Sequence, residues 1–290
     1  MTAAQVSPSL SQRFGDVLCT LSGSVATVVI DRPAKRNALS QPVVDGLSQA
    51  IATAIDHDAS VLVLRGTGGT LSAGADLALV RSILADTDAL RRYVTSLSGV
   101  CDALASGPFV SVAVVDGYAV AGGCELLLAC DLALAADDAR IGDRHLQHAL
   151  LPGAGGSARL FRRVSPARAR RLFFTAEMIS GQVAAEWGLV SASAPSGELE
   201  LALGALLDSL AAKSPAACRA MKQMLIAAEN CLLADAIACE RELFLDYIRA
   251  APVVAAALDA FLARGPAEGR PAPGEGGAGQ QAAGSQGGDR

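Results

Sequence analysis

Short apolar runs and helical periodicities alternate along the first two thirds of the chain. Apolar positions three and four apart predict one helix from Ser40, a candidate N-cap, to about Ile55 and another from about Ala85 to Ser106. Strands that alternate with helices indicate an α/β core with parallel strand pairing. Four runs rich in β-branched residues or alanine are predicted to be buried strands: Val25–Ile30, Ser60–Leu64, Phe109–Val115 and Leu132–Ala135.

The pattern changes near residue 198. From Glu198 it is helical throughout, with breaks at Ser214-Pro215 and near Pro252. This region is too small to build a core of its own, so we expect it to pack on the α/β core or on a neighbouring subunit. The residues from Gly265 have no periodicity and little to bury, which predicts disorder. The predicted division is an N-terminal extension (1–16), an α/β core (17–197), a helical region (198–264) and a tail (265–290).

The most informative stretch is GYAVAGGCE at 117–125, between an apolar strand and an apolar helical run. A chain that turns through Gly122 and Gly123 into a helix leaves backbone N–H groups without partners, and these donors favour nearby negative charge. Glu125 stands about one turn into that helix, where it could move a proton near the same charge. The alternative, a buried turn whose glutamate has no chemical role, fits the same residues.

Composition limits the classes of partner. The chain has 290 residues, 51% of them hydrophobic, which is enough for a sizeable core. A net charge of -5 gives no general reason to expect nucleic acid as a partner. The first residues lack a basic and apolar leader, and no apolar run reaches spanning length, so we expect a cytoplasmic protein with no membrane partner. The seven cysteines include no CxxC pair and are predicted to be buried thiols in a reducing compartment.

Several cofactor and catalytic motifs are missing from the sequence. The glycines at 66–69 are not followed by Lys-Ser/Thr, no GxGxxG joins a strand to a helix, and no GxSxG elbow is present. His145 and His148 are three apart, but no further His or Cys clusters beside them. We therefore expect no resident cofactor and no metal. The arginine run between Arg159 and Arg171 is predicted to be a solvated helix face, with phosphate or RNA binding as the weaker alternative.

Three segments, taken in order and spacing, resemble the enoyl-CoA hydratase/isomerase (crotonase) family: RPAKRNAL at 32–39, SAGAD at 72–76 and GYAVAGGCE at 117–125. LPGAGG at 151–156 and AEWGLV at 185–190 fit the same pattern, and the likeness spans about residues 17 to 264. The resemblance implies a spiral core of repeated β-β-α units, a C-terminal helical trimerisation region and an acyl-CoA thioester as substrate. It thus implies a homotrimer or a dimer of trimers, with coenzyme A entering as part of the substrate.

The resemblance also implies which residues form the site. The backbone N–H groups of Ala75 and Gly122 match the oxyanion hole, which holds the thioester oxygen as it becomes an enolate. Glu125 matches the first of the two glutamates that the hydratases use, and a gapless count places the second on His145. The positions that match CoA or acyl binding are Ala34, Lys35, Arg36, Ala73, Asp76 and Gly153.

Two positions depart from the family pattern. An imidazole at 145 can act as an acid or a base near neutral pH, or it can be a structural histidine whose ring bonds Asp143 or a backbone carbonyl. Leu77-Ala78 stands where many relatives carry a lysine for a CoA phosphate, and Arg81 is the nearest substitute.

The predicted function is that of an acyl-CoA lyase of the hydratase type, which adds water to a 2-enoyl-CoA or removes it. A double-bond isomerase is the first alternative, because it needs only one proton-shuttling residue. A CoA-binding or scaffold protein with weakened catalysis is the second. The intact set of Ala75, Gly122 and Glu125 favours an enzyme.

Overall fold

Residues 10–250 and 253–263 are described by a computed structural model and form eleven strands and eleven helices. The chain divides into two units, Met1–Tyr247 and Ile248–Arg290. The predicted tail and the first nine residues lie outside the described residues. The strands are β1 (Leu10–Phe14), β2 (Val17–Ser22), β3 (Val25–Ile30), β4 (Val61–Gly66), β5 (Thr70–Ser72), β6 (Val110–Val115), β7 (Tyr118–Val120), β8 (Leu132–Ala136), β9 (Arg140–Gly142), β10 (Ile179–Ser180) and β11 (Ala192–Ala194). The helices are α1 (Gln41–Asp56), α2 (Leu77–Ile83), α3 (Thr87–Ser106), α4 (Gly122–Ala129), α5 (Gly156–Arg163), α6 (Pro166–Thr175), α7 (Gly181–Glu186), α8 (Leu199–Ala211), α9 (Pro215–Asn230), α10 (Leu233–Ala250) and α11 (Val253–Ala263).

The strands build two sheets in the first unit. The larger has the order β1-β2-β3-β4-β6-β8-β11, antiparallel as far as β3 and parallel from there on. Val28, Leu64, Ala113 and Ala133 stand in register across its middle and are all buried. The smaller sheet has the order β10-β9-β7-β5, in which β5, β7 and β9 are parallel.

Successive strands enter the larger and then the smaller sheet before the chain turns into a helix. The pairs are β4 with β5, β6 with β7 and β8 with β9, followed by α2, α4 and α5 respectively. The expected repeat of β-β-α units is therefore confirmed. Because β5, β7 and β9 are parallel, the chain leaves all three at one edge of the small sheet. The segments that carry Ala75, Gly122 and His145 start at that edge.

The long predicted elements are confirmed because each has an apolar face to bury. The strand predictions correspond to β3, β4, β6 and β8, and the helix predictions to α1 and α3. Helix α1 follows Ser40, which is the N-cap residue although its side chain makes no capping hydrogen bond. Residues three and four apart on this helix are buried against the sheet: Val43, Val44, Leu47, Ala50, Ile51 and Ala54.

The structure differs from the predicted boundaries at the N-terminal side of the core. Residues 10–14, assigned to an extension, form β1 and pair with β2; β1 is an edge strand with exposed side chains, so it lacks an apolar signal. Helix α8 buries Leu199 and Leu203 in the main core, which agrees with the expectation that the helical region packs on the α/β core. The helical pattern after Glu198 is confirmed, with a further break at Cys231-Leu232 between α9 and α10.

The cysteine prediction is correct for four of the seven thiols. Burial raises the pKa of the Cys130 thiol to about 12. Cys218 and Cys239 are partly exposed and Cys231 is exposed, because α9 and α10 keep much of their surface in solvent. The buried thiols are Cys19, Cys101, Cys124 and Cys130. Among the described helices, none combines the length and apolar character that crossing a membrane requires.

Candidate active site

Two loops bring the backbone N–H groups of Ala75 and Gly122 together. Ala75 lies shortly after β5, and Gly122 is the first residue of α4. A Cβ added to Gly122 would lie 3.5 Å from the nitrogen of Ala75, and one added to Gly74 would lie 3.1 Å from the nitrogen of Gly122. Within the described residues, neither N–H has a backbone or side-chain acceptor. The two donors can therefore point to one ligand oxygen.

The residue before Gly122 adopts a rare backbone conformation that aims this donor. Ala121 has φ 50° and ψ −117°, a region that costs an L-residue about 1–3 kcal/mol. Its N–H donates to the carbonyl of Gly142 at 3.1 Å, and its carbonyl accepts from the N–H of Glu125 at 2.9 Å. The next glycine permits the close approach, since a Cβ on Gly123 would lie 2.2 Å from the carbonyl oxygen of Ser72.

Glu125 is a buried carboxylate whose two oxygens have different surroundings. Its side chain is 2% exposed. Oε1 accepts the backbone N–H groups of Ala154 at 2.7 Å and Gly156 at 2.9 Å. These donors lie at the start of α5, where a helix favours negative charge. Oε2 lies 3.8 Å from Nε2 of His145. One oxygen is thus fixed by the backbone, and the other faces the imidazole.

His145 contacts two carboxylates at once. It lies in a 3₁₀ turn (His145–His148) after β9, and its residue is 9% exposed. Nδ1 lies 2.8 Å from Oδ2 of Asp143, and Nε2 faces Glu125. The ring therefore bonds Asp143, as the structural alternative expects, while its other nitrogen faces Glu125. His148, three residues on, is exposed.

A cavity of about 100 Å³ collects most of the predicted residues. Ala75, Gly122, Glu125, His145 and Gly153 all line it. Its remaining walls are mainly apolar: Val80, Leu90, Tyr93, Val94, Leu97, Leu150 and Leu151. Such a cavity can hold an apolar chain with its polar end between the backbone donors, the carboxylate and the imidazole.

The predicted CoA-binding loop lies beside the donors and outside the cavity wall. Pro33–Lys35 forms a 3₁₀ turn, and the side chains of Ala34, Lys35 and Arg36 are exposed. The carbonyl of Arg36 accepts the N–H of Ala73 at 3.0 Å, which ties this loop to the segment that carries Ala75.

The Asp76 side chain stabilises the start of α2 and binds Arg32. It caps the N-terminus of α2 and accepts a hydrogen bond from Nη1 of Arg32 at 2.8 Å. The Arg32 guanidinium holds the pKa of this carboxyl below its ordinary value.

Asn37 is fully buried, and its side-chain amide donates hydrogen bonds to the carbonyl groups of Thr67 and Thr70. The first two family-like segments are thus linked by polar side chains.

Sequence reasoning missed the groups that hold Glu125. The N–H groups of Ala154 and Gly156 carry no side-chain signal, because any residue type supplies a backbone donor. Arg159 supports their loop, since its Nη1 donates to the carbonyl of Ala154 at 2.6 Å and its Nη2 pairs with Asp102. The arginine run was predicted to be a solvated face, but Arg159 in that run stabilises the loop that holds Glu125.

Comparison with known proteins decides the family. The model of the enoyl-CoA hydratase/isomerase family matches residues 20–268. A 2,3-dehydroadipyl-CoA hydratase from Escherichia coli is 36% identical over 80% of this chain and 89% of its own length. The chain belongs to the enoyl-CoA hydratase/isomerase family.

Solved structures agree with this assignment of the chain to the enoyl-CoA hydratase/isomerase family. An enoyl-CoA hydratase structure from Geobacillus kaustophilus superposes with a TM-score of 0.83 at 27% identity, and covers 89% of this chain and 97% of its own. A Thermobifida fusca protein described as an enoyl-CoA hydratase, in complex with acetoacetyl-CoA, gives a TM-score of 0.75 at 29% identity, covering 81% and 95%.

Proposed function

We propose that this chain adds water to the double bond of a 2-enoyl-CoA thioester, or removes it in the reverse direction. One observation carries the proposal. The unshared oxygen of Glu125 and the two unpaired N–H groups of Ala75 and Gly122 belong to residues that line the same apolar cavity. A relative named as a CoA-thioester hydratase and a solved neighbour with bound acetoacetyl-CoA support a CoA thioester as the substrate.

The proposed reaction begins at the carboxylate. Oε2 of Glu125 takes a proton from a water molecule as the water oxygen bonds to C3 of the substrate. The π electrons of the C2–C3 bond move onto the thioester oxygen, which becomes an enolate. The N–H groups of Ala75 and Gly122 hold that oxygen, and a positioned donor of this kind contributes roughly 2.7–4 kcal/mol in the transition state.

The second half of the proposed reaction uses His145. The enolate electrons form the new C2–H bond with a proton from Nε2, the nitrogen that faces Glu125. The product is a 3-hydroxyacyl-CoA. The exposed cationic residues Lys35 and Arg36 are proposed to meet the phosphates of coenzyme A outside the cavity. Arg81, exposed on α2, is a further candidate for such a contact.

Isomerisation of a double bond is the alternative, and one observation favours it. Among the described residues that line the cavity, Glu125 is the only carboxylate, since Asp143 is turned to Nδ1 of His145. A reaction that moves one proton between two carbons through a single carboxylate would suit this arrangement.

A panel of thioesters separates the two reactions. The purified full chain is mixed with 2-enoyl-, 3-enoyl- and 3-hydroxyacyl-CoA compounds of four to ten carbons, and the products are separated by chromatography. We expect conversion between 2-enoyl and 3-hydroxyacyl compounds that is lost in Glu125→Gln. Exclusive conversion of 3-enoyl into 2-enoyl compounds would establish the isomerase instead, and no conversion of any thioester would contradict both.

A further inference from the structure

Asp143 directs all of its side-chain hydrogen bonds within the described residues to His145. It is 3% exposed and lies between β9 and the 3₁₀ turn. Oδ1 accepts the backbone N–H of His145 at 3.2 Å, and Oδ2 lies 2.8 Å from its Nδ1. These two contacts fix both the start of the turn and the rotation of the ring.

This contact decides which ring nitrogen carries which proton. An ionised carboxylate can only accept hydrogen bonds, so Nδ1 must be the donor toward Asp143. The nitrogen that remains for proton exchange is then Nε2, which lies 3.8 Å from Oε2 of Glu125. The three side chains form a buried row in which the imidazole lies between two carboxylates.

We propose that Asp143 is a positioning residue that keeps Nδ1 of His145 protonated, so that Nε2 delivers the proton to C2 and is then recharged by Glu125. The inference rests on the proposed hydration. In the proposed starting form, His145 is an imidazolium with a proton on each nitrogen, and Glu125 is a carboxylate. During addition, Glu125 gains the proton of the attacking water at Oε2, and His145 loses the Nε2 proton to C2 and becomes the neutral Nδ1–H ring. Oε2 and Nε2 lie 3.8 Å apart and must approach to hydrogen-bond distance for the next step. Transfer of the proton from Oε2 to Nε2 then returns both groups to their starting forms. No proton is gained or lost over the cycle beyond those of the added water.

A double-mutant cycle tests this coupling. Asp143→Asn keeps the shape but gives the neighbour of Nδ1 an amide that can donate, which favours the wrong ring form. We expect this variant to lower kcat on the order of 10–100-fold with KM changed less than about threefold. In the His145→Ala background the same change should alter kcat less than about twofold, because no ring is left to position.

Nuclear magnetic resonance of the ring nitrogens gives a readout that does not depend on activity. The chain has only three histidines, and loss of one set of signals in His145→Ala assigns the ring. We expect the neutral ring of His145 to carry its proton on Nδ1. In Asp143→Asn, we expect the neutral ring to move its proton to Nε2.

The outcomes separate this inference from the proposed function. Equal losses of kcat from Asp143→Asn in both backgrounds, or a wild-type ring whose proton resides on Nε2, would overturn the positioning role. Thermal unfolding of each variant shows whether a loss of kcat comes from a loss of fold. If the wild-type chain hydrates no thioester, the proposed function fails, and the catalytic part of the inference fails with it. The nitrogen spectra then still decide whether Asp143 sets the ring form.

Discussion

At the scale of single residues, the charge of Glu125 is placed where the backbone can support it. A buried carboxylate without partners would be costly. The N–H groups of Ala154 and Gly156 satisfy Oε1 and leave Oε2 available beside the cavity. Gly156 also packs closely against the Glu125 side chain, since a Cβ added to Gly156 would lie 3.0 Å from Cγ of Glu125. The hydrogen bonds and this packing together fix the position of the carboxylate.

The first prediction concerns Glu125. Replacement by Gln keeps the shape but removes the base, so we expect kcat to fall by about 10²–10⁴-fold with KM nearly unchanged. Steady-state hydration of a short 2-enoyl-CoA measures both constants. Turnover within a few fold of the wild type would refute the assignment of the base.

The second prediction compares two histidines of the same turn. His145→Ala should lower kcat far more than it raises KM, whereas His148→Ala should leave both near wild type, because His148 is exposed. His145→Glu, which restores the family pattern, should support hydration best when combined with Asp143→Asn, since Asp143 would otherwise stand beside a second carboxylate. Identical kinetics for the two alanine variants would rule out a catalytic role for His145.

The side chains of the site could be predicted from the sequence much better than their supports. Glu125 and His145 stand at positions of a family-like pattern, and the structure brings them within 3.8 Å. The sequence presents Asp143 only as a hydrogen-bond partner that would give His145 a purely structural role. A sequence gives no indication that one ring can satisfy a carboxylate with Nδ1 and still present Nε2 to the cavity.

At the scale of elements, the two donor loops are held by close packing of backbone on backbone. Gly74, at φ +94°, faces the strained Ala121, and an added Cβ would lie 2.8 Å from the Cβ of Ala121. Ser72 supports the first loop through its hydroxyl, which donates to the carbonyl of Asn37 and accepts the N–H of Gly74. The distance between the donors therefore depends on both loops.

The third prediction uses two glycines as a matched pair. Gly74→Ala forces a methyl group against Ala121 in an unfavourable φ region, so it should lower kcat and reduce stability by about 1–3 kcal/mol. Gly99→Ala, in the exposed part of α3 with nothing within 4 Å, should raise stability by about 0.5–1 kcal/mol and leave kcat unchanged. Denaturant unfolding and turnover are measured for both. Wild-type turnover in Gly74→Ala would show that the donors tolerate displacement.

The fourth prediction follows from the ion pair of Asp76 with Arg32. The pKa of Asp76 is lowered in the folded state, so the carboxylate stabilises the fold above the unfolded pKa of about 3.9. That contribution is lost as the pH falls through the folded pKa. Asp76→Asn keeps the helix cap but removes the charge. We expect the free energies of unfolding of wild type and variant to differ at pH 7 and to converge below about pH 4. A constant difference over this range would contradict the ion-pair argument.

Element length explains which parts of the fold the sequence revealed. Helix α3 and strand β6 are long enough to show a period, and both were predicted. Strands β5, β7 and β9 have three residues each, too few for a pattern. None of the three is among the predicted strands, although they position Ala75, Gly122 and His145.

At the scale of the whole molecule, α9 contacts the core through Lys222, whose charge is buried. Nζ of Lys222 donates to the carbonyl groups of Leu104 and Phe109 and pairs with Asp131. This region also exposes large apolar side chains. Within the first unit, those on α9, on α10 and between them are Met221, Leu225, Leu232, Leu233, Ile237, Phe244 and Leu245.

The fifth prediction is that this surface joins copies of the chain. Large contiguous apolar patches are uncommon on monomers, and seven large apolar side chains are exposed here. We expect light scattering to give three or six times the 29.4 kDa of one chain. Leu233→Glu combined with Ile237→Glu should lower that mass, while Ile55→Glu at the end of α1 should not. A wild-type chain that stays monomeric at micromolar concentration would contradict this assembly.

The common edge of the small sheet has a consequence for changing this protein by design. The proposed oxyanion donors depend on the connections after β5 and β7, whereas His145, the proposed second proton-transfer group, depends on the connection after β9. A designer can therefore exchange residues 143–150 alone and keep the two donor loops and Glu125. Libraries confined to that one connection would sample different fates of the same intermediate, such as protonation from another direction or reaction with another electrophile, on an unchanged scaffold.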